Sequence, residues 1–169
     1  GYTVGKYNLM NDLLKGLTEN PFGRRHILNL YQYADLSETK GLYPCAYETL
    51  WSARKVDNEI YLDATLVQRS SDYLVANYIN KTQYVALMLM VCSHLGYKPG
   101  VFGHFVQNLH IYDRHFDAVN ELLNREPLEV QPIIRLTENK PFSEFTVDDF
   151  IIENTDKINK IKSKLELAI

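Results

Sequence analysis

Two runs, Tyr47 to Arg54 and Glu59 to Arg69, are rich in residues that favour extended backbone and are separated by Asp57-Asn58. They predict a β-hairpin. In the second run Ile60, Leu62, Ala64 and Leu66 alternate, so they share one apolar face that another part of the chain must cover. Helical periodicity supplies the cover. Leu9, Met10, Leu13, Leu14 and Leu17 recur at helical spacing until Asn20-Pro21, where proline turns the preceding residue away from helix. From Asn80 to Leu95, Tyr84, Leu87, Met88, Val91, Cys92 and Leu95 follow a 3.6 period with apolar residues on nearly every side. That pattern predicts a long, buried central helix, ended by Gly96 and the Lys98-Pro99-Gly100 turn.

The remaining segments fit around this centre. Ile27 to Tyr33 reads as a strand followed by a polar loop from Asp35 to Gly41, and Val101 to Tyr112 as a strand followed by a helix from Asp113 to Arg125. Ile133 to Leu136 and Phe150 to Ile152 read as two short strands before a lysine-rich tail. Helices and strands mixed without strict β-α-β alternation predict an α+β fold, a mixed β-sheet covered by helices, with residues 1–169 as one domain.

Composition narrows the chemistry. The chain has 169 residues, 46% hydrophobic and 23% charged, which places it among globular proteins rather than disordered or fibrous ones. A net charge of -3 provides no overall positive field, so neither nucleic acid nor an anionic membrane is expected as a partner, and any bound anion must be met locally. The longest apolar run, around Tyr84 to Cys92, is broken by His94 and Lys98, well short of a bilayer span. Two cysteines, Cys45 and Cys92, make no disulfide framework and no Cys-x-x-Cys pair, so a reducing, cytoplasmic setting is expected and no metal is assigned. The chain starts at Gly1 with neither a basic segment nor a signal-like apolar stretch and runs quickly into helical periodicity, so further residues are expected upstream.

Four clusters could carry chemistry. Cys45 follows Tyr43-Pro44, whose proline fixes the chain direction ahead of a thiol; the other reading is a small buried apolar residue. Gln68-Arg69-Ser70-Ser71-Asp72 gathers an amide, a guanidinium, two hydroxyls and a carboxylate where a strand ends, which suits a phosphate. The same residues would also serve as a helix cap with an Arg69–Asp72 pair. Arg24-Arg25 is a second anion candidate or a solvated pair. In His110-Ile111-Tyr112 the strand period of two sends both polar side chains to one face, able to hold one hydroxyl or to sit as a satisfied core pair. The other histidines, His26, His94, His104 and His115, show no metal-type spacing with a carboxylate.

In order, these pieces resemble the C-terminal two-thirds of the folate-dependent thymidylate synthases. Asn20-Pro21-Phe22-Gly23-Arg24-Arg25-His26 resembles that family's paired-arginine segment, Tyr43-Pro44-Cys45 its nucleophile loop, and Gln68 to Asp72 its signature. Asn80 with Tyr84, His110-Ile111-Tyr112, Arg125-Glu126-Pro127, Asp148-Asp149-Phe150 and the terminal Leu167-Ala168-Ile169 follow in the same sequence.

The resemblance implies reductive methylation of dUMP to dTMP, with methylenetetrahydrofolate giving the one-carbon unit and the hydride. It implies that Cys45 adds to carbon 6 of the uracil and that Asn80 reads the uracil edge while holding the developing enolate. By the same implication Arg69 and Ser70 bind the phosphate, Arg24 and Arg25 reach it from the other subunit of a homodimer, and His110 and Tyr112 hold the 3′-hydroxyl. Gln68 would support the nucleotide, Asp72 would contact the folate ring, and Ala168 with Ile169 would close over the folate.

Some positions depart from the family's pattern. Ala46 stands where a histidine often follows the nucleophile, Val75-Ala76-Asn77-Tyr78-Ile79 replaces Leu-Gly-x-Pro-Phe, and Gln107-Asn108 replaces Gly-Asp. The family's N-terminal part, which brings a catalytic glutamate, tryptophans near the folate, a further arginine and a tyrosine, has no counterpart in these residues. The 169 residues alone are therefore expected to be weakly active or inactive. A deoxycytidylate hydroxymethylase shares Cys45 and Arg69 but usually carries aspartate at the position of Asn80. A non-catalytic nucleotide- or RNA-binding fragment is the alternative from another class, and a cysteine hydrolase finds no ordered histidine partner.

Overall fold

A computed structural model describes residues 3–4, 7–38, 40–156 and 158–166. Two short paired strands, β1 (Thr3–Val4) and β2 (Tyr7–Asn8), lead into α1 (Leu9–Glu19), whose first turn is capped by the Asn8 side chain accepting from the Asn11 amide at 3.2 Å. Met10, Leu13, Leu14 and Leu17 are all buried, which is the apolar stripe read from the sequence. Each such leucine contributes about 1.5–3 kcal/mol by leaving water.

The hairpin is present and longer than expected: β4 (Ala46–Val56) pairs antiparallel with β5 (Glu59–Asp72), with Asp57 in the left-handed region at φ 52°. Leu62, Ala64 and Leu66 face the core with Trp51, under α1 and the long helix α3 (Asn77–Leu95). On its other edge β5 meets a parallel partner. β6 (Lys98–His110) runs in the same direction, so β5, α3 and β6 form one crossover unit inside a mixed sheet of order β3-β4-β5-β6. Strand β6 therefore begins at Lys98, where a turn was expected. The main chains approach closely there: Val101 N–H donates to Asp63 Oδ1 at 2.7 Å, and a Cβ on Gly100 would lie 2.0 Å from that same oxygen.

Strand β3 is only Ile27–Asn29. Asn29 Oδ1 accepts the Tyr31 amide at 2.9 Å, a side-chain turn that diverts the chain into the short helix α2 (Tyr33–Leu36) instead of extending the strand. The helix expected from Asp113 starts as a 3-10 turn (Asp113–His115) and becomes α4 (Phe116–Leu123). Strands β7 (Ile133–Leu136) and β8 (Phe150–Glu153) pair antiparallel, close to the two short strands expected.

The central helix is less covered than its sequence implied. Of the residues in that pattern Met88, Val91 and Cys92 are buried, whereas Tyr84, Leu87 and Leu95 are only half-buried. One helix on one sheet face can bury only the stripe that meets the sheet and α1. Among the described residues, no helix is long and apolar enough to cross a membrane and no cluster of His, Cys, Asp and Glu could hold a metal. The opposite sheet face is open, with Ile27, Leu50, Val101 and Phe105 between 38% and 64% exposed.

Candidate active site

Antiparallel β4 begins where the parallel pair β5–β6 ends, so one end of these three neighbouring strands collects Cys45, Gln68 to Asp72 and His110. Cys45 is exposed, just ahead of a β-bulge between Ala46 and Glu48 that re-aims the start of β4. Its carbonyl accepts the Arg69 amide at 2.9 Å. The Arg69 guanidinium reaches back as well, donating from Nε to Pro44 O at 3.0 Å and from Nη2 to Tyr43 O at 2.8 Å. The arginine thus holds the two residues before the thiol instead of pairing with Asp72. Tyr31 braces the same loop from outside, with ring centroids 6.4 Å from Tyr43 and 5.7 Å from Tyr47.

Gln68 is 1% exposed on the core-facing side of β5. Its Nε2 donates to Ser70 O at 2.9 Å and to Asn80 Oδ1 at 2.9 Å, while its Oε1 lies 2.9 Å from His104 Nε2. A main-chain carbonyl can only accept, so Ser70 O fixes which end of the Gln68 amide faces it. Asn80 must then present its oxygen to Gln68, and His104 must carry a proton on Nε2. Burial, with the Lys81 charge nearby, lowers the affinity of the His104 ring for a second proton. One backbone oxygen orients three side chains, and the Asn80 amide nitrogen is left without a partner among the described residues. His104 joins this candidate site through Gln68, a placement that sequence reasoning missed. The signal that could have found it is its parity on β6, shared with Phe102 and Val106 on either side.

Ser70 lies beside Asn108 across β5–β6, and Asp72 beside His110. Asp72 Oδ1 accepts the amides of Leu74 and Val75 at 3.1 and 3.3 Å. His110 and Tyr112 meet edge to face with centroids 5.1 Å apart, and His110 Nδ1 lies 3.1 Å from Asn108 Oδ1. In the replaced Val75 to Ile79 segment, Val75-Ala76 belong to the turn into α3 and Asn77 to Ile79 form its first turn. There the Tyr78 hydroxyl donates to Tyr73 at 3.1 Å, and this bond, helped by burial, pushes the Tyr78 phenol up to about 12.

Arg24 and Arg25 are exposed on the turn between α1 and β3 and line a crevice with Asp12, Glu19 and Ile27 that includes neither Cys45 nor Arg69. Within one chain the structure does not bring them to the others. Ala168 and Ile169 lie outside the described residues.

The segment leading to them is held by α4 and the turn after it. Arg125 donates to Asn159 O and Lys160 O, both at 2.7 Å, and Glu121 accepts the amides of Lys162 and Ser163 at 3.0 and 3.2 Å. Arg125 also pairs with Glu121. The Lys162 amide first, then Arg125 and the Ser163 amide, hold the Glu121 carboxyl at about 2. A depressed carboxyl stabilises the docked segment above its ordinary value of 4.5 and stops doing so as pH falls through about 2. The amide resonances of Lys162 and Ser163 are expected to titrate with a midpoint near 2. A midpoint at the ordinary carboxyl value of 4.5 would mean that these contacts do not hold the segment in solution.

A sequence profile for the family described as "Thymidylate synthase" matches residues 2–167. The chain belongs to the thymidylate synthase family. It is 46% identical over 171 residues to a thymidylate synthase of Streptococcus pneumoniae, covering 100% of this chain and 61% of the relative. Over 172 residues it is 46% identical to that of Lactococcus lactis subsp. cremoris, again with 61% of the relative covered. In three dimensions it resembles thermostable thymidylate synthase A from Bacillus subtilis with a TM-score of 0.85 and 31% identity, over 99% of this chain and 59% of that one. The chain thus spans about three-fifths of the length of the thymidylate synthases it matches. The family comprises methyltransferases of dTMP biosynthesis that use methylenetetrahydrofolate and are typically homodimers.

Proposed function

We propose that the protein converts dUMP to dTMP by reductive methylation, with Cys45 as the nucleophile and methylenetetrahydrofolate as co-substrate. The observation that carries this reading is the fixed orientation of Asn80. Its amide nitrogen has both hydrogens free among the described residues, which suits the O4 acceptor of uracil, and its oxygen keeps one lone pair for the N3 hydrogen. Cytosine presents an amino donor at carbon 4, which that nitrogen would oppose. The hydroxymethylase alternative is disfavoured on this ground.

In the proposed sequence the Cys45 thiolate adds to carbon 6, and the electron pair moves through carbon 5 to O4, where the Asn80 donor meets the growing charge. The co-substrate supplies the one-carbon unit to carbon 5 and then the hydride. Loss of the carbon 5 proton and breaking of the thioether return the thiolate, giving dTMP and dihydrofolate. Arg69 has Nη1 free of partners among the described residues and Ser70 a hydroxyl beside it in sequence, which suits the phosphate. His110 and Tyr112 are assigned the deoxyribose hydroxyl, and Asp72 and Ala168 the folate. For these 169 residues alone we propose weak turnover or none, with full activity in a longer chain.

Arg24 and Arg25 are proposed to act on the partner's phosphate in a homodimer joined through the open sheet face, whose exposed apolar residues support such a contact. Two inactive variants should then complement. Mixing Cys45→Ser with Arg25→Ala under exchange, in a longer active chain, leaves one intact site in each mixed dimer, so about a quarter of the wild-type activity should return. Absence of recovery in proven mixed dimers would refute the crossing. Release of tritium from dUMP labelled at carbon 5 separates an enzyme from a binding fragment, because exchange there requires the covalent adduct.

A further inference from the structure

His115 is 1% exposed and stands between two parts of the molecule far apart in sequence. Its Nε2 lies 3.0 Å from Glu166 O, in the segment held by Glu121 and Arg125. Among the described residues its Nδ1 is buried without a hydrogen-bond partner, and it lies 3.7 Å from Asp72 Oδ2. Glu166 O can only accept, so when the ring carries a single hydrogen and the segment is docked, that hydrogen sits on Nε2. Nδ1 then turns a lone pair towards the Asp72 carboxylate. Two acceptors facing each other give no bond, and Asp72 Oδ2 stays available to another donor.

We infer that His115 is a positioning residue that couples the docking of residues 158–166 to the availability of the Asp72 carboxylate, through the ring nitrogen that carries its hydrogen. When Glu166 moves away, the reason for a hydrogen on Nε2 goes with it. The tautomer with the hydrogen on Nδ1 then donates to Asp72 and occupies it. Docking reverses this and frees Oδ2 for a ligand bearing N–H donors. That the ligand is the folate ring rests on the proposed function; the coupling itself does not.

The hydrogen position can be read from nitrogen-15 spectra of the chain labelled at histidine, compared with a Glu121→Ala/Arg125→Ala double variant that releases the segment without shortening it. The expected result is a hydrogen on His115 Nε2 in the parent chain and on Nδ1 in the variant, and loss of that preference when Asp72→Asn is added. The same tautomer in parent and double variant would overturn the inference. A second measurement uses amide exchange over residues 162–166. His115→Gln, which keeps a donor near the Nε2 position, should preserve protection that His115→Leu loses by about tenfold or more. Equal loss in both would reduce His115 to packing and also overturn the inference. If the tautomer follows docking but no folate complex forms in a longer chain, the proposed function fails and the coupling stands. A normal folate complex with an unresponsive tautomer would leave the proposed function standing and overturn the coupling.

Discussion

A Cys45→Ser chain is expected to form no covalent adduct with 5-fluoro-dUMP and methylenetetrahydrofolate, and in an active longer chain its dTMP synthesis should fall by a factor of about 10³ or more. The size of the effect follows from chemistry. A serine hydroxyl in the same loop is almost never ionised near neutral pH, and nothing among the described contacts of Cys45 is a base that would activate it. Cys92 offers no substitute. It is 2% exposed inside the core, and burial together with the Asp63 charge pushes its thiol up to about 12. Intact-mass spectrometry of the parent, the variant and a longer chain decides the matter. An adduct on the serine variant would move the nucleophile elsewhere. An adduct on the longer chain alone would mean that residues beyond these 169 complete the site, and none on either would favour a binding role.

Gln68→Leu is expected to damage both stability and base recognition. The substitution keeps the approximate size of the side chain while stranding Ser70 O, Asn80 Oδ1 and the His104 Nε2 hydrogen, at about 2–5 kcal/mol in total. A urea midpoint unchanged from the parent would show that water satisfies these groups without Gln68. In an active chain the freed Asn80 amide is expected to turn, so KM for dUMP should rise, kcat should fall, and discrimination against dCMP should relax by about tenfold. Gln68→Glu sharpens the test. It keeps an acceptor for His104 but sets a carboxylate against two carbonyl oxygens, so base recognition should fall further than with leucine.

Much of the frame was legible because it is local. The stripe on α1 and the alternation on β5 are set by periods of 3.6 and 2 within a dozen residues, the turn by the tolerance of Asp57 for positive φ, and each formed as expected. The misread boundaries have local causes that a period does not report. The Asn29 side chain closed a turn that ended β3 early, and the approach of Gly100 to Asp63 let β6 begin inside a Pro-Gly turn signal. The parallel pairing of β6 with β5 was not legible, since alternation is the same for either strand direction.

The sequence by itself determined which chemistry could be present: a thiol after a proline, an arginine, serine and carboxylate at a strand end, an amide near the start of a helix, and a histidine two residues before a tyrosine. It also determined the family, because those residues stand in the family's order. Only the tertiary structure decided what each group faces. Asn80 and His104 lie 12 and 36 residues beyond Gln68, and the three meet because α3 returns the chain alongside β5. Arg69 reaches the loop 25 residues before it, and His115 meets a carbonyl 51 residues further on. Hydrogen-bond direction depends on the atom opposite, and that atom is supplied by folding.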